Sequence, residues 1–265
     1  MEVVICSSPA EVAQRATAKV ARICQEVGPN VVLGVATGSS PLALYEGLAA
    51  RVADGSLDLS QASAFALDEY VGLPKGHPES YATVVNRTVT EPLGMDPDRV
   101  NTPDGASSDI DGAAKAYEEA IVAAGGVDVQ ILGIGSNGHI GFNEPGSSLA
   151  SRTRIKTLTP TTREDNARFF DSLDQVPTHC LTQGLGTIMA ARNVVLVAQG
   201  EGKADAIAAL VEGPVTAMCP GSVLQLHQHA TIFVDEAAAA KLTLADYYRF
   251  TYDNKPAWQR DLSGL

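Results

Sequence analysis

The sequence predicts an α/β protein built on a mainly parallel sheet with helices on both faces. Short β-branched apolar runs alternate with stretches of helical periodicity along most of the chain. Several of these runs are continuously apolar rather than alternating, which suits strands buried on both sides. The 265 residues hold no internal repeat, charge block or low-complexity linker, so one domain spanning 1–265 is expected.

Taken in order, Glu2–Cys6 reads as the first strand. Ser8-Pro9-Ala10-Glu11 then fits a capping box with Pro at the first helical position, and Val12, Ala16, Val20, Ile23 and Val27 recur at helical spacing. A short buried strand is expected over 31–36 and a helix over 41–52, ending near Gly55. Further strands are expected over 62–67, 127–134, 193–198 and 230–234, and further helices over 110–124, 164–170, 201–211 and 237–250. The Pro- and Thr-rich stretch 147–182 is expected to be a mobile lid-like insertion, and 254–265 a loosely tied tail.

Hydrophobic residues make up 45 % of the chain, enough for a sizeable core, and the formal net charge is −12. That acidity disfavours nucleic acid and anionic lipid as partners, so a phosphorylated ligand would need a local cluster of Lys, Arg and backbone N–H groups. The first residues carry no basic region followed by a long apolar run, and no stretch approaches the length that spans a bilayer, so neither a secretion signal nor membrane insertion is expected. Cys6, Cys24, Cys180 and Cys219 form no CxxC pair and read as reduced, mostly buried thiols of a cytoplasmic protein.

Three segments could carry chemistry. Thr37-Gly38-Ser39-Ser40-Pro41 joins a strand to a helix, where small residues expose N–H groups and the helix adds its positive end. It fits a phosphate cradle and an ordinary turn capped by Ser40 equally well. Leu67-Asp68-Glu69-Tyr70-Val71-Gly72 ends another strand. Adjacent strand residues point to opposite faces, so one carboxylate can enter a cleft as a general base while the other is structural. A solvated acidic turn is the plainer alternative. Gly133-Ile134-Gly135-Ser136-Asn137-Gly138-His139-Ile140-Gly141-Phe142-Asn143-Glu144-Pro145 begins like a dinucleotide fingerprint, but Gly and Pro break the following helix. Arg152, Arg154 and Lys156 stand where a ribose-binding acid belongs. A His and a Glu five residues apart in a glycine-rich loop suggest instead an acid/base pair against a ligand.

His227 and His229 could share a strand face, but no third ligand accompanies them, so no metal site is expected. Basic residues concentrate between Arg152 and Arg168, where Arg154 and Lys156 would share one face of a strand as a second anion site or as solvated surface charges.

These blocks, together with His77-Pro78-Glu79-Ser80-Tyr81, 147–159, 166–170 and 224–227, resemble the glucosamine-6-phosphate deaminases over nearly the whole chain. The resemblance implies a Rossmann-like fold with a lid, no cofactor, and conversion of glucosamine 6-phosphate and water to fructose 6-phosphate and ammonia. It implies that Asp68 moves the proton from C2 to C1, that His139 opens the ring and that Glu144 supports it. It implies that Gly38, Ser39, Ser40, Arg168 and Lys203 hold the substrate phosphate, and that Glu69 supports the cleft. The best-known members carry Asp where Asn137 stands beside His139; Asn there can orient the imidazole without a full opposite charge. The resemblance also implies a homo-oligomer, by analogy a hexamer. In the allosteric members N-acetylglucosamine 6-phosphate binds between subunits; Ser147, Arg154, Lys156, Thr157 and Tyr247 align with that site. Two rivals share parts of the pattern: a 6-phosphogluconolactonase and a sugar-phosphate sensor without turnover. Asn143-Glu144-Pro145 after the His and Asp68-Glu69-Tyr70-Val71-Gly72 fit the deaminases better, and no DNA-binding segment is evident.

Overall fold

The computed structural model describes residues 1–256 and Gln259. Seven strands form one sheet in the order β1 (Glu2–Cys6), β10 (Ala230–Asp235), β9 (Asn193–Ala198), β6 (Val129–Leu132), β2 (Val32–Val35), β3 (Ser63–Ala66) and β5 (Val100–Asn101). Every neighbouring pair in it is parallel.

Successive side chains of these strands enter two different cores. Val3, Val32, Phe65, Leu132, Val194 and Ile232 pack on one face with α4 (Ile110–Ala123), α6 (Leu185–Ile188) and α7 (Ala204–Val211). Val4, Leu33, Ala64, Ile131, Val195 and Phe233 pack on the other with α1 (Pro9–Val27) and α2 (Leu42–Ala53). Strands clothed on both sides need apolar residues at every position, which is why these runs are continuous in the sequence.

Ser8 caps α1 through a 3.2 Å bond from the Glu11 N–H, while Glu11 returns to the N–H and hydroxyl of Ser7 rather than to Ser8. Three expected helices start or end elsewhere. The segment expected as 164–170 is α5 (Pro160–Asn166) plus one tighter turn, because Thr159 caps it and Pro160 fixes its first φ. The 201–211 helix begins as a tight turn and becomes α7 at Ala204. In place of a helix over 237–250, turns lead to α8 (Ala245–Asp253). There the Glu212 carboxylate takes the N–H groups of Thr243 and Leu244 and so restarts the helix. Most of the expected tail, 254–265, lies outside the described residues.

A second, antiparallel sheet has the order β4 (Asp68–Tyr70), β8 (His179–Thr182), β7 (Arg154–Thr157). β4 follows β3 after Leu67 alone, so Asp68 stands where the chain leaves the central sheet. The 147–182 stretch, expected as a mobile insertion, contributes β7, α5 and β8 to this sheet and its flank. Tyr70, Phe142, Leu158 and Cys180 form a third, small core beneath it. From β2 the chain continues to β3 on one side, whereas β6 leads to β9 on the other. The order therefore reverses between β2 and β6, and the crevice at the carboxyl ends of those strands is where such sheets bind ligands.

Candidate active site

The loops after β2 and β6 meet in that crevice: the Ser40 side chain packs against the backbone of Gly133, where a Cβ would lie 3.5 Å away. Gly38 adopts φ +93°, a conformation costly for any residue with a Cβ, and the loop 38–40 borders the cavity. Ser40 does not cap α2; Pro41 occupies that position without a side-chain bond. The cavity has a volume of about 280 Å³. Gly38, Ser39, Ser40, Asp68, His139, Arg168 and Lys203 all line it, although they come from five separate segments.

The lining includes two neighbouring cations, Lys203 at the start of α7 and Arg168 just after α5. Burial, and the guanidinium of Arg168, push the Lys203 ammonium below its ordinary value, with Asp165 opposing. Bringing a dianion between two such cations relieves their repulsion, so the pair is suited to phosphate.

Asp68 and Glu69 divide their roles as the strand alternation predicts. Glu69 accepts the N–H groups of Tyr70, Tyr81 and Ala82 at 2.8–2.9 Å, thereby holding the first turn of α3 (Tyr81–Val85). Asp68 is 5 % exposed and takes no hydrogen bond among the described residues. Burial, with the Glu69 charge beside it, pushes its carboxyl up to about 8. A buried carboxyl without donors, poised near neutral pH, is suited to proton transfer.

His139 is placed by a glycine. Its ring lies so close over Gly135 that a Cβ there would be 2.3 Å from the imidazole. Its Nδ1 faces Glu144 Oε2 at 3.6 Å. Glu144 is 3 % exposed. Burial raises its carboxyl, but His139, Thr162 and Asn137 outweigh that and hold it at about 2, so it is an anion at neutral pH. Asn137 bonds His139 through the backbone rather than through the ring. Its Nδ2 donates to Glu144 Oε2 at 2.8 Å, and its Oδ1 accepts the backbone N–H of His139 at 3.2 Å. Among the described residues the charged group facing the ring is Glu144.

The basic segment 152–168 does not act as one patch. Arg152 pairs with Glu118 at 2.5 Å, Arg163 donates to the carbonyls of Leu173 and Val176, and Arg154 donates to Asn143 Oδ1 at 2.9 Å. Arg154 and Lys156 are half-buried at alternate positions of β7, Thr157 is exposed, and Tyr247 is exposed on α8. The buried Ser147 hydroxyl donates to the Glu144 carbonyl at 2.6 Å. His227 is not on a strand face; its Nε2 lies 2.8 Å from the Ala191 carbonyl and its Nδ1 accepts the His229 N–H.

Glu79, Tyr81, Arg87, Thr88 and Asp165 also line the cavity. Ser80 caps α3, and a Ser with Thr three residues on, after His77-Pro78, is a helix-start signal that could have placed Tyr81 and the wide turn Asn86–Thr90 after it. Nothing local marks Arg87.

Comparison with known proteins points to one family. Residues 7–233 match the family model described as glucosamine-6-phosphate isomerases/6-phosphogluconolactonase. A protein of Pseudarthrobacter chlorophenolicus named glucosamine-6-phosphate deaminase is 61 % identical, over 98 % of this chain and 99 % of its own. One of Streptomyces avermitilis with the same name is 64 % identical over 87 % and 89 %. A solved structure described as a monomeric glucosamine-6-phosphate deaminase superposes with a TM-score of 0.88 at 38 % identity, covering 91 % of this chain and all of that one. The 6-phosphogluconolactonase of Trypanosoma cruzi superposes with a TM-score of 0.74 at 21 % identity, over 91 % and 97 %, a likeness of fold alone. The chain belongs to the glucosamine-6-phosphate isomerase/6-phosphogluconolactonase family.

Proposed function

We propose that this protein is a glucosamine-6-phosphate deaminase, converting glucosamine 6-phosphate and water to fructose 6-phosphate and ammonia. One observation carries the reading: a cleft lined by the cations Lys203 and Arg168 also holds a buried carboxyl, Asp68, and an imidazole backed by an anion, His139 with Glu144. Relatives of that name at 61 % and 64 % identity support it.

The chemistry needs both proton movers. The C2 proton of a closed sugar ring is not acidic; opening the ring exposes an aldehyde onto which the C2 carbanion can delocalise. In this reading His139 moves the proton between O1 and O5 that opens the ring, and Glu144 stabilises the imidazolium formed in passing. Asp68 then carries a proton from C2 to C1. A C2 ammonium beside it favours the carboxylate it needs to be. The resulting fructose imine adds water and loses ammonia. Lys203, Arg168 and the N–H groups of 38–40 fix the phosphate, and holding the open chain in this way contributes on the order of 7–11 kcal/mol at best.

The test is direct. The purified protein is expected to release ammonia and fructose 6-phosphate in equal amounts from glucosamine 6-phosphate, without hydrolysing 6-phosphogluconolactone above background. Lactone hydrolysis without ammonia release would overturn the assignment.

The same reading extends to regulation and assembly. Activation by N-acetylglucosamine 6-phosphate at Arg154, Lys156 and Thr157, with Tyr247 and the segment at Ser147, is supported by the shared face of Arg154 and Lys156 on β7. It would operate in a hexamer, although a 38 % identical neighbour is described as monomeric. Sedimentation velocity with and without that ligand, beside its titration against subsaturating substrate, decides both points. We also read the chain as one domain with a lid at 147–182, working in the cytoplasm, where its four buried, unpaired thiols would stay reduced. Among the described residues no helix is long and apolar enough to cross a membrane.

A further inference from the structure

The two oxygens of Glu144 serve different parts of the molecule. Oε2 accepts from Asn137 at 2.8 Å and faces His139 Nδ1 at 3.6 Å. Oε1 accepts the Thr162 hydroxyl at 2.5 Å, the Thr159 hydroxyl at 3.2 Å and the Thr159 N–H at 3.4 Å. Thr159 is the cap of α5, and its hydroxyl in turn accepts the Thr162 N–H at 3.2 Å. In an ordinary capping box the residue at the third helical position is Glu or Gln, whose side chain returns to the N–H of the cap. Here that position is Thr162, and the missing carboxylate arrives from Glu144, eighteen residues upstream.

A carboxylate that caps a helix is not free to choose its own angle. The buried His139 Nδ1 has no hydrogen-bond partner among the described residues, so its relation to Glu144 is electrostatic and depends on where Oε2 points. Asn137 fixes one side of that angle and Thr162 the other. Beyond Thr162, α5 ends at Asn166, which donates to the Tyr70 hydroxyl at 3.0 Å, and the tight turn that follows carries Arg168 into the lining of the cleft.

We propose that Thr162 is a positioning residue for the acid–base step. Its hydroxyl holds the Glu144 carboxylate at the angle that faces His139, and so ties that angle to the seating of the helix that leads to Arg168. The proposal rests on the deaminase reading for its kinetic arm. The groups that bear on Glu144 from neighbouring elements are His139 of its own loop and Cys180 of β8, which Arg154 and Lys156 of β7 flank.

The test compares Thr162→Val, which keeps the branched shape without the hydroxyl, with Thr162→Ser, which keeps the hydroxyl; Thr162→Ala is made in parallel should the valine variant not fold. Losing a hydrogen bond to a charged group is expected to lower kcat for ammonia release about tenfold or more in the valine or alanine variant. KM should change less than about threefold, and serine should restore kcat to within about threefold of the wild type. On a Glu144→Gln background the Thr162 substitution should cost little further. Wild-type kcat in the valine and alanine variants, equal losses in valine and serine, or fully additive losses with Glu144→Gln would overturn the proposal. An arm independent of turnover follows the imidazole resonances of His139 by NMR: they should move in valine and stay in serine, and unmoved resonances in valine would also overturn it. A wild type that releases no ammonia would instead remove the deaminase reading, leaving the NMR arm to decide the role of Thr162.

Discussion

Asp68 and Glu69 are consecutive buried residues of a three-residue strand, yet three backbone N–H groups meet the Glu69 carboxylate and, among the described residues, none meets that of Asp68. Strand alternation sends one side chain to the first turn of α3 and the other into the cleft, and this asymmetry leaves Asp68 available for chemistry.

It also has a cost in stability that depends on pH. Burial raises the Asp68 carboxyl from 3.8 to about 8, so between those values the folded state keeps a proton that the unfolded chain releases. Stability from this group is therefore full below about 4, declines as pH rises through about 8, and is flat above. Asp68→Asn lacks that decline. Its melting temperature relative to wild type should rise between pH 5 and pH 8; a constant difference would contradict the burial argument.

Asn137 donates to Glu144, so Asn137→Asp replaces a donor by a second negative charge 2.8 Å from the carboxylate. One of the two acids must then titrate higher than Glu144 does now, at about 2. The acid limb of the pH–rate curve should move to higher pH. An unchanged curve would contradict the placement of Asn137.

Gly135 has no alternative as long as the imidazole lies on it. Gly135→Ala should lower kcat about a hundredfold or more by displacing the ring of His139, while phosphate binding measured by calorimetry stays within about threefold. Full activity in the alanine variant would mean that the ring has room elsewhere.

Lys203 is half-buried beside Arg168 in the lining of the cleft, and the proposed reading makes it a phosphate anchor. Lys203→Met should raise KM for glucosamine 6-phosphate about 10–100-fold, the effect of losing one charge-assisted hydrogen bond, with a smaller change in kcat. A fall in kcat at unchanged KM would place Lys203 in the chemistry rather than in binding.

The central sheet was legible because a parallel strand clothed on both sides writes a continuous apolar run, as at Asn193–Ala198, which matched to the residue. Of the second sheet only β7 was, where Arg154 and Lys156 alternate as in a strand; the pairing was not. β4 has three residues, and Asp68 finds its partner Thr182 more than a hundred positions away, so no local pattern records the pairing. In the site, alternation foretold that Asp68 and Glu69 would part, and the family resemblance, not the alternation, said which of them faces the cleft. The cap of α5 by Glu144 was not legible, since it joins a glycine-rich loop to a helix through space, and neither was Arg87, whose position depends on a widened turn. Asn137 does bond His139, but at the backbone N–H, and the nearness of the two in sequence did not reveal that its amide nitrogen reaches Glu144.

The claim on which all else depends is that Asp68 carries the proton between C2 and C1 of a sugar held by its phosphate. The decisive measurement is ammonia release from glucosamine 6-phosphate by the wild type and by Asp68→Asn, with substrate affinity of the variant measured by calorimetry. Turnover in the wild type, a loss of about 10²–10⁴ or more in the variant, and affinity kept within about tenfold are expected. Near-normal ammonia release by Asp68→Asn would contradict the account.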